Sequence, residues 1–281
     1  MHLDPLPNPL RALPRLLLGQ RKRADRSTQV PALSYTGTLP ADPGRLAAFR
    51  TAIGDTHARM PPTWPAACMT PLLVALVSDR RFPLPAIGLV HRSERITVHA
   101  PVPLDAPLLL GARLGDTRPC PAGLVFDIHA SAEQAGRVLW SSVSEIVWRA
   151  QDRPTRPFPT APPPPRPDPV TRIPVDLSTS RAYAAVSKNR DPIHTLPRVA
   201  RWLGMPGVVV HGLWTMARAA ALAPPLNAPY QLHARFRRPV VVPTAVHISL
   251  ASEAEGTAFV AHADDGGRPH LTGWLGPARS A

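Results

Sequence analysis

The sequence has 281 residues, of which 44% are hydrophobic, so the chain can fill a packed core and is not of the disordered class. Its formal net charge is +13. Residues 1–150 hold 17 basic and 11 acidic side chains (+6), and residues 151–281 hold 15 and 8 (+7). This even spread favours an anionic small ligand or an acidic partner over nucleic acid, which usually requires a concentrated basic stripe.

Two cysteines, Cys68 and Cys120, lack the spacing that a metal site or a redox motif requires. We interpret them as thiols in a reducing compartment. No run approaches the roughly 18 apolar residues of a membrane span. The sequence therefore predicts a cytoplasmic protein with no metal, no cofactor and no membrane span.

The first half of the chain predicts one helix followed by four strands. Thr70 and Pro71 are suited to the N-cap and N1 positions of an apolar helix over residues 72–78. Strand-like segments follow at residues 89–99, 108–114, 124–130 and 137–148. We expect residues 1–150 to form one domain.

Residues 151–174 contain ten prolines and few large apolar side chains. Because proline has no amide hydrogen and a fixed φ, this stretch is excluded from helix interiors and central strands. It is predicted to be an extended linker between two domains.

The second half, residues 175–281, repeats the order of the first. An apolar helix is predicted over residues 213–222, and strand-like segments follow at residues 230–237, 245–251, 257–263 and 270–275. One helix and four strands, occurring twice, predict a duplicated α+β unit. Two such sheets could pair edge to edge and so remove one exposed edge from each.

A motif in the second half resembles the hydratase signature of MaoC-like proteins. Residues 183–194 read YAAVSKNRDPIH, and residues 211–214 read HGLW. The family pattern is approximately S-G-D-x-N-P-[ILV]-H, followed by H-G-M at the start of the central helix. The matching positions are Ser187, Pro192, Ile193, His194, His211 and Gly212.

This resemblance implies a double hot-dog fold, in which two antiparallel sheets are each wrapped on a central helix and joined as a pseudo-dimer. The first half has no comparable motif, as expected for the non-catalytic half. The implied reaction is the interconversion of 2-enoyl and (R)-3-hydroxyacyl thioesters. His194 takes the place of the family's catalytic histidine, and Gly212 supplies the amide for the enolate oxygen. Ser187 and His211 are further expected substrate-site residues.

The sequence departs from the family at the catalytic aspartate. Asn189 stands at that position, and Asp191 stands where the family has asparagine. An amide cannot accept a proton at neutral pH, so Asn189 is expected to orient water or the thioester oxygen. Asp191 could replace the base, but it also precedes Pro192 and is suited to capping the following helix.

The leading hypothesis is thus a hydro-lyase acting on an acyl-CoA or acyl carrier protein thioester. A degenerate hot-dog protein that binds acyl thioesters or a partner subunit without turnover is the alternative, and a thioesterase ranks last. Arg235 and Arg237 alternate along a strand and could contact phosphates of coenzyme A, or could lie on a solvated strand edge. A homodimer of double hot-dog chains is a further expectation.

Overall fold

A computed structural model describes residues 1–12, 14, 16, 19, 22–86, 88–150, 170–263 and 268–278. The described helices and strands of the first half are β1 (His2–Leu3), β2 (Ser34–Leu39), α1 (Pro43–Ile53), α2 (Trp64–Cys68), α3 (Thr70–Ser78), β3 (Val90–Val98), β4 (Leu108–Cys120), β5 (Gly123–Gln134) and β6 (Arg137–Arg149). A 3-10 turn, Pro9–Ala12, lies between β1 and β2.

The described helices and strands of the second half are β7 (Val170–Val175), α4 (Leu177–Ser187), α5 (Pro197–Trp202), β8 (Val209–Val210), α6 (Gly212–Leu222), β9 (Tyr230–Phe236), β10 (Val240–Val241), β11 (Thr244–Glu253), β12 (Gly256–Ala263) and β13 (Leu271–Pro277). A 3-10 turn, Pro192–His194, lies between α4 and α5.

Eleven of the described strands form one sheet in the order β1-β2-β4-β5-β6-β3-β9-β13-β12-β11-β7, and β8 pairs with β10 separately. The large sheet consists of two half-sheets that meet where β3 pairs antiparallel with β9. This pairing satisfies the backbone groups of what would otherwise be two exposed edges.

The two half-sheets have the same topology. The order β2-β4-β5-β6-β3 in the first half corresponds strand for strand to β7-β11-β12-β13-β9 in the second. In each half a strand and a helix precede the central helix, and four long strands follow it. The duplication predicted from the sequence is confirmed, together with all eight strand-like segments that were assigned.

Each half-sheet packs on its own central helix. Helix α3 contacts β2 and β4, and α6 contacts β9, β12 and β13. The halves also share a core, because α1 packs against α4 and the rings of Phe49 and Tyr183 lie 5.9 Å apart. The indole Nε1 of Trp214, on α6, donates a hydrogen bond to the carbonyl of Ala52 in the first half (2.9 Å).

Three details differ from the sequence-based expectations. Helix α3 begins at Thr70 with Met69 at its N-cap, because α2 runs almost directly into it, so Thr70 is not the cap. Residues 170–174, which the sequence predicts to be linker, lie in β7, and residues 151–169 lie outside the described residues. Strand β7 is an edge strand, which explains how it tolerates Pro174.

Within the described ranges, no helix is long and apolar enough to cross a membrane. Cys68 and Cys120 are both free thiols. Complete burial raises the pKa of Cys68 to about 12, so this thiol has little tendency to ionise.

Candidate active site

The signature segment leaves the C-terminus of α4 through a tight local turn. Lys188 adopts a left-handed backbone conformation (φ 57°) at the position where the family pattern has glycine. The Ser187 hydroxyl donates to the carbonyl of Tyr183 (2.8 Å) and accepts from the amide of Asn189 (3.3 Å). Ser187 therefore fixes the direction in which residues 189–194 leave the helix.

Asp191 caps the short helix that follows it. Its carboxylate accepts a hydrogen bond from the amide of Ile193 (3.2 Å), and the residue is exposed. The capping role predicted from the Asp-Pro pair is confirmed. Asp191 is also absent from the described lining of the cavity between the two halves.

His194 is held in one tautomer. Its Nδ1 lies 2.6 Å from the carbonyl oxygen of Val209, which can only accept a hydrogen bond, so Nδ1 carries the proton. Nε2 of the neutral ring is left with a lone pair. Burial lowers the pKa of His194, although the hydrogen bond to Val209 and the charge of Asp191 oppose this shift. The ring is therefore neutral near pH 7 and can accept a proton.

His211 stacks on His194, with ring centroids 3.7 Å apart. Its Nε2 donates to the carbonyl of Asn189 (3.0 Å), whereas its buried Nδ1 has no hydrogen-bond partner among the described residues. Burial, and secondly the neighbouring charge of protonated His194, lower the pKa of His211. Two stacked imidazoles cannot readily both be charged, which favours neutral rings.

Gly212 is the first residue of α6, so the amides of Gly212 and Leu213 belong to the helix N-terminus and have no acceptor within the helix. A Cβ atom at Gly212 would lie 2.9 Å from the ring of Phe236. Only glycine allows this close approach of β9 to the helix start. Free amides and the helix dipole favour a negative oxygen at this point.

A cavity of about 130 Å³ lies between the two halves. The second half lines it with Tyr183, Ser187, Asn189, His211 and Leu213. The first half contributes residues of α2, α3, β3, β5 and β6, and these are Ala66, Ala67, Met69, Thr70, Leu73, His91, Glu94, Ile128, Ala130, Ser142, Ser144 and Ile146. Three predicted site residues, Ser187, Asn189 and His211, thus line one space. His194, which stacks on His211, and Gly212 are not among the described lining residues.

The sequence-based reasoning missed Glu94. This residue of β3 is 1% exposed and lines the cavity. Its Oε2 accepts hydrogen bonds from Nε2 of His91 (3.0 Å) and from the hydroxyl of Ser144. A signal was available, because strand alternation places Glu94 on the same buried face as Ile96 and Val98, where an acidic residue is unusual.

Basic side chains cluster where the two half-sheets meet. Arg235 lies on β9 opposite Ser93 of β3, and Arg237 follows the end of β9. Burial lowers the pKa of Arg237, as do the charges of Arg235 and Arg92. The Nε atom of Arg237 is buried without a partner among the described residues. The expectation of a solvated strand edge is wrong, because β9 is paired on both sides.

Two half-sheets of identical topology, each wrapped on one helix, with a cavity between them, define a double hot-dog protein. Residues 160–262 match the family described as the MaoC like domain. The chain is 29% identical over 276 residues to 3-hydroxyacyl-thioester dehydratase X of Mycobacterium tuberculosis, covering 95% of this chain and 97% of that protein.

Solved structures agree with this grouping. The crystal structure of HtdX from Mycobacterium tuberculosis has a TM-score of 0.74 at 27% identity, covering 86% of this chain and 99% of that one. A conserved hypothetical protein of the same organism, reported to have a double hot-dog fold, has a TM-score of 0.54 at 13% identity, covering 92% and 98%. The second half therefore carries a MaoC-like domain, and the predicted double hot-dog fold is confirmed.

Proposed function

We propose that this protein is a hydro-lyase that interconverts 2-enoyl and (R)-3-hydroxyacyl thioesters. The observation that carries the proposal is the neutral, tautomerically fixed His194, which stacks on His211 before the N-terminus of α6, together with the cavity between the halves that His211 lines. The MaoC like domain and the similarity to a 3-hydroxyacyl-thioester dehydratase support it.

The chemistry divides between a group that orients the water through a hydrogen bond and an oxyanion site. The Nε2 lone pair of His194 accepts a hydrogen of the attacking water and orients its oxygen towards C3 of the enoyl group. The amides at the start of α6, Gly212 and Leu213, stabilise the enolate oxygen that develops on the thioester. Addition also requires a group that takes a proton from water and delivers one to C2.

We assign neither Asn189 nor Asp191 to that second role. The Asn189 amide cannot take a proton, and its backbone carbonyl positions His211. The Asp191 carboxylate is exposed and occupied as a helix cap. In this proposal Asn189 contacts the substrate in the cavity, Ser187 positions Asn189, and Asp191 acts through the local fold.

The direct test uses purified protein and crotonyl-CoA. Hydration should be visible as loss of the absorbance of the conjugated double bond. His194→Ala should lower kcat/KM by about 100-fold or more, because it removes the ring that orients the attacking water. Equal decay with both proteins would overturn the assignment. Absence of turnover in the wild type on short and long enoyl thioesters would favour the alternative, a non-catalytic acyl-thioester binder.

The proposed substrate carries a phosphate group. The guanidinium of Arg237, whose Nε has no hydrogen-bond partner among the described residues and which lies near the charges of Arg92 and Arg235, is suited to a phosphate of coenzyme A or of the carrier-protein prosthetic group. We place the reaction in the cytoplasm, which the two free thiols support.

We further infer that residues 175–281 carry the signature and that residues 1–150 complete the cavity. We also infer that two chains pair into a homodimer.

A further inference from the structure

The cavity needs a group that can exchange a proton between water and C2, and the signature segment does not provide one. Asn189 is an amide, and Asp191 is an exposed cap. Among the described residues that line the cavity, Glu94 is the only carboxylate. It lies on β3 of the first half, about one hundred positions before the signature, and no motif marks it.

The hydrogen bonds of Glu94 leave one oxygen available. Nε2 of His91 also lies 3.1 Å from the carbonyl of Ser93, so this nitrogen carries the proton and donates to both oxygens. The hydroxyl of Ser144 donates to the same Oε2 atom of Glu94. Oε1 accepts no hydrogen bond from the described residues, so it remains free to face a water or a substrate.

The surroundings of Glu94 connect it to the oxyanion site. The ring of His91 lies 4.7 Å from that of Phe236, and Phe236 in turn packs against Gly212 at the start of α6. Glu94 and Leu213, the second residue of α6, line the same cavity. The buried hydroxyl of Tyr183 and Nδ1 of His211 face the same space without partners among the described residues.

From this arrangement, and resting on the proposed function, we propose that Glu94 is the catalytic carboxylate of the reaction, supplied by the half that lacks the signature. Oε1 takes a proton from water while the water oxygen forms a bond to C3. The C2–C3 π electrons shift to give an enolate, whose oxygen lies at the amides of Gly212 and Leu213. The Glu94 carboxyl then gives its proton to C2, which restores the thioester carbonyl and the carboxylate. The net change is addition of one water.

The decisive variant is Glu94→Gln. The amide oxygen can still accept from His91 and Ser144, but an amide cannot take a proton. We expect kcat on crotonyl-CoA to fall by about 100-fold or more. Binding of butyryl-CoA, a saturated analogue that cannot react, should change by less than about threefold in isothermal titration, because the cavity keeps its shape. A purely structural role for Glu94 would weaken binding and thermal stability together.

Glu133→Gln is the matched control. Glu133 lies on β5 of the same half-sheet, accepts a hydrogen bond from the hydroxyl of Ser131 (3.1 Å), and is not among the cavity residues. This variant should retain wild-type kcat. If Glu94→Gln does not fold, Glu94→Asp tests the same role. Shortening the side chain withdraws the carboxylate from the water, so kcat should fall about tenfold while butyryl-CoA still binds.

The two hypotheses fail differently. A wild type that is active and sensitive to His194→Ala, together with a Glu94→Gln variant of undiminished kcat, overturns the role of Glu94 and leaves the proposed function standing. A folded Glu94→Asp variant with wild-type kcat has the same consequence. A wild type without turnover on any enoyl thioester overturns both. Loss of kcat in Glu94→Gln, with butyryl-CoA binding retained, supports the assignment.

Discussion

At the scale of single residues, the site depends on which nitrogen of His194 carries a proton. The carbonyl of Val209 fixes the proton on Nδ1, and burial disfavours a second proton on Nε2. His211 stacks on the same ring and is itself held by the carbonyl of Asn189. Asn189, whose side chain departs from the family pattern, thus positions His211 through its backbone carbonyl.

The lowered pKa of His194 predicts the pH dependence of activity. Protonation removes the Nε2 lone pair, so kcat/KM should fall as the pH falls through the folded-state pKa. Because burial lowers that pKa from its ordinary value of 6.5, the loss of kcat/KM caused by protonation of His194 should have its midpoint below pH 6.5. A pH profile of kcat/KM measures this. A midpoint above 6.5 would contradict the neutral buried ring.

Folding stability should follow the same group. A histidine that is neutral in the folded state and more easily protonated when unfolded contributes stability that is present above its unfolded pKa. That contribution is lost as the pH falls towards the folded-state pKa. Urea unfolding of the wild type at several pH values between about 5 and 8 should show declining stability on the acidic side. His194→Gln, which does not titrate, is the control and should show a weaker decline.

At the scale of elements, the end of α4 determines how the signature leaves the helix. Lys188 adopts φ 57°, a region that is costly for residues with a Cβ atom. The amide of Lys188 approaches the carbonyl of Ala185, as in helix ends that finish in a left-handed residue. Family members with glycine here have the residue that suits this conformation.

Lys188→Gly should therefore stabilise the protein. Relief of the left-handed strain exceeds the added chain entropy of glycine, and we expect a gain of about 0.5–1 kcal/mol in the free energy of unfolding. Chemical denaturation measures it. The matched control is Ala182→Gly, at an exposed position inside α4, which should instead lose about 1 kcal/mol. A loss of stability in Lys188→Gly would show that contacts of the lysine side chain outweigh the cost of its left-handed backbone conformation.

At the scale of the whole molecule, the pairing of β3 with β9 brings the functional groups of the two halves together. It places Glu94 opposite Ala234, so the carboxylate reaches the edge of the second half-sheet. It also brings Arg92 of the first half near Arg235 and Arg237 of the second. Neither half alone contains the cavity, because both contribute to its walls.

The arginine cluster predicts how the thioester carrier is recognised. Arg237→Gln should raise KM for crotonyl-CoA severalfold with little change in kcat, because a phosphate loses a charged donor while the reacting atoms are untouched. KM for the N-acetylcysteamine thioester, which has no phosphate, should not change. The control is Arg113→Gln, an exposed arginine on β4. Equal effects on both substrates would exclude phosphate recognition.

The sequence by itself determined the duplicated order of elements, the resemblance to MaoC-like proteins, the position of His194, the helix start at Gly212 and the cap at Asp191. These features are local, because hydrophobic period, capping residues and short-range spacing specify them. The tertiary structure alone decided the tautomer of His194, the stacking on His211, the shared cavity and the placement of Glu94 and Arg92. Those features depend on the register of β3 against β9, and residues separated by over one hundred positions carry no local signal of that pairing.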